Sequence, residues 1–214
     1  MQVSNEARPP DERSRVQRRA DHGVAANARL TATNAAVLLA LLAAEGATIL
    51  RVRQLISPHV FLGMVLIPPV LLKIGSTGYR FVRYYRGAPA YRRKGPPPLL
   101  LRLLGPVIVI LTLVLLASGV ALLLAGPAWS HELLFVHKAS FVLWFFAMTV
   151  HVLGHLAEVA RVGPRDWLRR PRRDVSGAGT RQWLIAASLV AGALLGLATL
   201  SRIGPWLASA HVGH

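Results

Sequence analysis

The chain has 214 residues, 53% of them hydrophobic, a formal net charge of +16 and no cysteine. The missing cysteine excludes disulfides, iron–sulfur clusters and thiolate metal sites. Apolar runs of about 20 residues, each long enough to cross roughly 30 Å of hydrocarbon, exclude a soluble globular protein. They also turn the basic excess from a nucleic-acid footprint into a topology signal, because Arg and Lys stand in blocks between the runs.

Residues 1–30 are polar, carry six Arg and read as a cytoplasmic basic tail. The first apolar segment, about 31–50, starts too far from Met1 for a cleavable signal and reads as a retained anchor. Segments at about 57–76, 99–125, 132–158 and 182–202 complete an all-α membrane bundle of five transmembrane helices. Residues 31–160 form a four-helix core, 161–181 a basic cytoplasmic loop, and 182–214 an added fifth helix with an outer tail. Lys and Arg number six in 1–30, seven in 80–102 and seven in 161–181, against Arg51, Arg53 and Arg202 on the alternate side. Twenty against three puts the N-terminus in the cytoplasm and the C-terminus outside, in a bacterial inner membrane. The abundance of Ala, Arg, Gly and Pro has a bacterial look.

The second segment opens with SPH, where Ser57 is placed to cap and Pro58 to take the first helical position, leaving His59 on the first turn. Pro68 and Pro69 interrupt the same segment at mid-membrane, a kink that neighbouring helices must satisfy. Beyond it, Lys73 and GSTGYRFVRYYRGAPAYRRKGPPP read as an interfacial belt of Tyr and Arg. In the fifth segment GALLG, residues 192–196, is a small-xxx-small motif that allows close helix contact.

HKASFVLWFFAMTVHVLGH, residues 137–155, places three histidines in an apolar span, where ionisable groups are functional by default. From His137 to His151 is 14 residues, about 21 Å of rise and close to four turns, so both project from nearly one face. Two imidazoles so far apart cannot share one ion, but each can be the axial ligand of a different haem. His59 is the matching partner for His137, since both segments run from outside to inside with the His in the first two turns. The depth equivalent of His151 on the second segment is Lys73, not a histidine. His155 is expected at the cytoplasmic interface, on Glu158 or a haem propionate. Lys73 is placed to snorkel, to meet a haem propionate or, when neutral, to ligate iron, and Arg80 and Arg83 are placed to meet propionates or simply to set topology. Glu45 is a candidate quinone or proton site, or a partner for Arg51 or Arg53. Phe141, Trp144, Phe145 and Phe146 are placed to pack a porphyrin or simply to pack helices. His131, His22, His211 and His214 are expected in solvent.

Two His 14 residues apart, paired with a His on another helix, resemble the four-helix b-type cytochromes, among them the membrane subunits of bacterial formate dehydrogenases and nickel–iron hydrogenases. The resemblance covers roughly 31–160 and implies two stacked b haems carrying electrons between a quinone or quinol and a redox partner protein. His59, His137 and His151 fall on its ligand positions; its fourth histidine is absent here. One haem b is expected and a second has half a site. The competing expectation is a haem-free membrane scaffold or proton relay whose basic loops hold membrane lipid. No hydrolase or nucleotide-binding motif is present, a homodimer through the fifth helix is a further expectation, and catalysis in the narrow sense is left to the partner.

Overall fold

The computed structural model describes residues 10–93, 99–167 and 178–212, and every regular element among them is helical. The helices are α1 (Pro10–Ile49), α2 (Ile56–Tyr85), the short α3 (Pro89–Arg93), α4 (Leu99–Ala125), α5 (His131–Trp167), α6 (Ala178–Thr199) and α7 (Gly204–Val212). Five stretches are long and apolar enough to cross a membrane, which makes the chain a multi-pass membrane protein: Gln17–Ile49, Ile56–Tyr85, Arg102–Ala125, His131–Gly154 and Gly179–Ser209. The bundle has a His59 end, closed by the 50–55 and 126–130 connections, and a basic end, where α1 begins and α2 runs into α3.

α2 is the hub. It packs along α1 on one side and α6 on the other, and touches α4, which carries α5. α1 meets it with Asn27, Thr31, Asn34, Leu38, Leu41, Leu42, Glu45 and Thr48, a stripe recurring at steps of three and four that keeps one helix face on its neighbour. Leu38, Leu66 and Val70 form the mid-bundle core, with Leu116 of α4 against them. Met64, Leu123 and Ile203 form a second core nearer the His59 end.

The expected spans stand, but three helices are longer than their apolar segments; α5 runs on to Trp167, into residues expected to be a loop. α1 extends to Pro10 through residues expected to be only a tail, with Asp11 and Glu12 in its first turn, where a carboxylate suits the helix dipole, and an Arg15–Asp11 pair at 2.8 Å. α2 continues through the Tyr- and Arg-rich stretch. There Tyr91 of α3 is buried, its ring 6.1 Å from that of Tyr79 and its face 6.0 Å from the Arg83 guanidinium. Burial and then the Tyr79 phenol raise the Tyr91 hydroxyl above its usual range, while Arg83 and Arg80 pull it down. Arg93 reaches Asp21 of α1 at 2.8 Å, tying α3 to the α1 extension. Arg102, at the start of α4, donates to the Tyr85 hydroxyl.

Ser57 does not cap α2. The helix starts at Ile56 after Leu55, with no side-chain cap bond, and Pro58 sits within the first turn, where backbone N–H groups have no intrahelical acceptor to lose. Pro68 and Pro69 lie inside a helix that nevertheless runs on to Tyr85. Neither donates to the carbonyl four residues back, so those of Met64 and Val65 lose their helical partners. α6 approaches at that point: a Cβ on Gly192 would lie 2.4 Å from the Val65 oxygen. The glycine therefore aims a Cα–H at a carbonyl that proline has freed, a weak hydrogen bond that only a residue without a side chain can make at this distance. One turn on, a Cβ on Gly196 would lie 2.7 Å from the Phe61 ring. The GALLG face is thus engaged on α2 within the chain. Gly192→Leu should force α6 off α2 and cost about 1–3 kcal/mol of stability. Gly46→Ala, where nothing lies within 4 Å of the added methyl, should be neutral or stabilising. Equilibrium unfolding in mixed micelles measures both.

Candidate functional site

The short turn of residues 50–55 brings Glu45 and Thr48, at the end of α1, beside His59 on the first turn of α2. Glu45 Oε1 lies 2.8 Å and Thr48 Oγ1 3.1 Å from His59 Nδ1. The Thr48 hydroxyl donates its one proton to the Glu45 backbone carbonyl at 2.6 Å. It can therefore only accept from the imidazole, as the carboxylate does. The network assigns His59 the tautomer with hydrogen on Nδ1, which leaves Nε2 with a bare lone pair when the ring is neutral.

His137, on the second turn of α5, repeats the arrangement on the other side. Ser118 Oγ of α4 lies 3.1 Å from His137 Nδ1 and donates its proton to the Leu115 carbonyl at 3.0 Å. With its proton on Leu115, Ser118 accepts from the imidazole, an assignment that places the His137 hydrogen on Nδ1. The ring rests against Gly119, where a Cβ would lie 3.1 Å from Cε1. The two imidazoles face each other across the bundle with centroids 6.4 Å apart and planes at 85°. The side-chain hydrogen bonds of both rings lie at Nδ1. Glu45 Oε2 is buried and accepts no bond.

Glu45 is therefore not a partner for Arg51 or Arg53. Those arginines are exposed in the turn, while the carboxylate points along the helix stripe to α2. Lys73 is half-buried on α2. Its ammonium donates to the Thr31 carbonyl of α1 at 2.9 Å, drawn there by a polar seam in which Thr31 donates to Ser76 Oγ and Asn27 to the Ser76 carbonyl. His151 is half-buried on α5. Arg83 stacks on Tyr91 and Arg80 is half-buried beside it, both beyond Lys73 at the basic end. The side chains of His155, Glu158 and His211, and all of His214, lie outside the described residues. His131 opens α5 rather than lying in a loop, and like His22 it is exposed. Of the aromatics, Phe145 and Phe146 face outward, and Trp144 is buried with its indole donating to Thr112 at 2.9 Å.

The residues missing from the sequence reading are the oxygens that hold the rings: Thr48 and Ser118. Each stands one helical turn after a backbone carbonyl that takes its proton, a pattern too common in helices to single out without the partner in view.

Glu45→Leu removes the closer of the two acceptors on His59 and should cost about 1 kcal/mol in unfolding assays, while Glu45→Gln, which keeps an oxygen at the same place, should recover most of it. Identical stability of all three chains would show that the contact carries nothing. Comparison with family models, curated proteins and solved structures finds no match for this chain, so the site is interpreted from its own geometry.

Proposed function

We propose that the chain binds a b-type haem between His59 and His137 and passes electrons between a quinone or quinol and a redox partner protein in a bacterial cytoplasmic membrane. In this reading the basic end is cytoplasmic and the C-terminus outside, as the distribution of Arg and Lys favours. One observation carries it: two imidazoles on different helices, each held at Nδ1 by oxygen, lie with their ring centroids 6.4 Å apart.

The donor set fits haem better than a bare ion. Zinc-like ions take three or four protein ligands, and among the described residues no group of three His, Cys, Asp or Glu converges. Haem brings its own four nitrogens and needs only one or two more. His59 and His137, with ring centroids 6.4 Å apart, are the residues that would hold it. Glu45, Thr48 and Ser118 supply the outer hydrogen bonds that keep metal-binding imidazoles oriented and basic.

Bound there, haem supplies a one-electron centre. The chain's own groups do the rest: Glu45 and Thr48 fix the His59 tautomer, Ser118 fixes that of His137, and Gly119 leaves room for the ring. The Met64, Leu123 and Ile203 cluster keeps this end of the bundle apolar. A second haem at His151 would have one histidine. The competing reading, a haem-free scaffold or proton relay, draws on the Glu45–His59 contact alone and gives no role to the Nε2 of His137.

Protein purified from haem-replete cells should show a Soret band, a dithionite-reduced α-band and about one haem per chain by pyridine haemochrome. His59→Ala and His137→Ala should each abolish it, and His131→Ala should not. A wild-type chain without a Soret band would overturn the proposal, and loss of half the haem in His151→Ala would reveal a second site.

A further inference from the structure

We propose that the His59 end is a docking face for an acidic soluble redox protein, an inference that rests on the haem reading above and names its partner's chemistry. Four cations stand at this end: Arg51 and Arg53 between α1 and α2, Lys138 next to His137, and Arg202 in the turn after α6. All four are exposed and none makes an ion pair among the described residues. The site and the charges are tied together. The Arg51 backbone donates to the carbonyl of Thr48, which holds His59. Arg202 precedes Ile203, which is packed against Met64 and Leu123. Only two acids lie nearby: Glu45 is committed to His59, and Glu132 is exposed at the start of α5.

The usual explanation of basic residues in a membrane protein does not apply to these. Insertion concentrates Arg and Lys on the cytoplasmic side, where this chain keeps twenty of them. Cations on the opposite face work against that bias, so their presence beside the histidines asks for another cause. An acidic soluble protein complements an outward basic rim that stands beside a partly exposed His59 edge. Electron exchange needs close approach to the histidines, and the His59 side chain keeps 20% of its surface exposed at the same end. Attraction by such a rim raises association rates by about 10- to 1,000-fold and falls steeply with salt.

The test uses the full chain in phosphatidylcholine proteoliposomes selected for an outward C-terminus. Labelled poly-glutamate should bind, and the variant carrying Arg51→Gln, Arg53→Gln, Lys138→Gln and Arg202→Gln should lose that binding, while Arg18→Gln with Arg19→Gln, at the basic end, should keep it. With haem reduced, one electron passes from each ferrous iron to ferricyanide, giving ferric haem and ferrocyanide. The fourfold variant should slow this about tenfold at low salt and leave oxidation by a cationic cobalt(III) complex unslowed. Poly-glutamate binding that the fourfold variant retains, or equal rates with either oxidant in both proteins, overturns the proposal. So does binding of phosphatidylglycerol vesicles in place of poly-glutamate. If no haem is present the function proposed above falls, and the poly-glutamate comparison still decides the docking face.

Discussion

A serine or threonine hydroxyl has one proton, and the arrangement at the His59 end turns on where two such protons go. Thr48 gives its proton to the Glu45 carbonyl and Ser118 gives its own to the Leu115 carbonyl. Both hydroxyls become pure acceptors, and the imidazole beside each must donate from Nδ1. Two small side chains, bonded to their own helices, thereby hold the Nδ1 side of each ring. A hydroxyl free to turn would leave the tautomers undetermined and the pair of lone pairs unassured.

Holding that pair requires four chain segments to meet at one depth, and α2 is where they do. α1 reaches it through a stripe that is polar at both ends and apolar between. Asn34 donates to the Pro69 carbonyl at 2.8 Å, and Lys73 and Ser76 join α1 one and two turns further on. The Glu45 and Thr48 pair closes the other end. Leu38, Leu41 and Leu42 separate the two polar stations, so the ionisable groups at the ends do not communicate through a continuous polar path. α4 and α5 form a second unit, pinned by Trp144 on Thr112 and His137 on Ser118, and meet α2 chiefly near the His59 end.

Much of this was legible in the sequence for a simple reason: apolar length marks the spans, and helical rise converts residue number into depth. That arithmetic was enough to match His59 with His137. It says nothing about rotation of each helix about its axis, which decides the partners of Glu45 and Lys73. The α1 stripe turns Glu45 to His59, and not to the nearby Arg51 or Arg53. Lys73 lies in a polar seam with Thr31 and Ser76. That seam repeats every three or four residues in the sequence, but its lower half was absorbed into the basic tail because its residues are small and polar rather than apolar. GALLG was equally ambiguous: small residues announce a close approach and not the identity of the neighbour.

The contact between Gly192 and Val65 also bears on the order of events during synthesis. α2 leaves the ribosome early, carrying two prolines and carbonyls that its own backbone cannot satisfy, while the helix that covers one of them is the last of the five spans to emerge. Until then an unpaired carbonyl at mid-helix faces lipid, water or a chaperoning surface, a costly state in hydrocarbon. The second and fifth spans are therefore joined in sequence order by a delay. The bundle that frames the two histidines is completed only when its fifth span is in place.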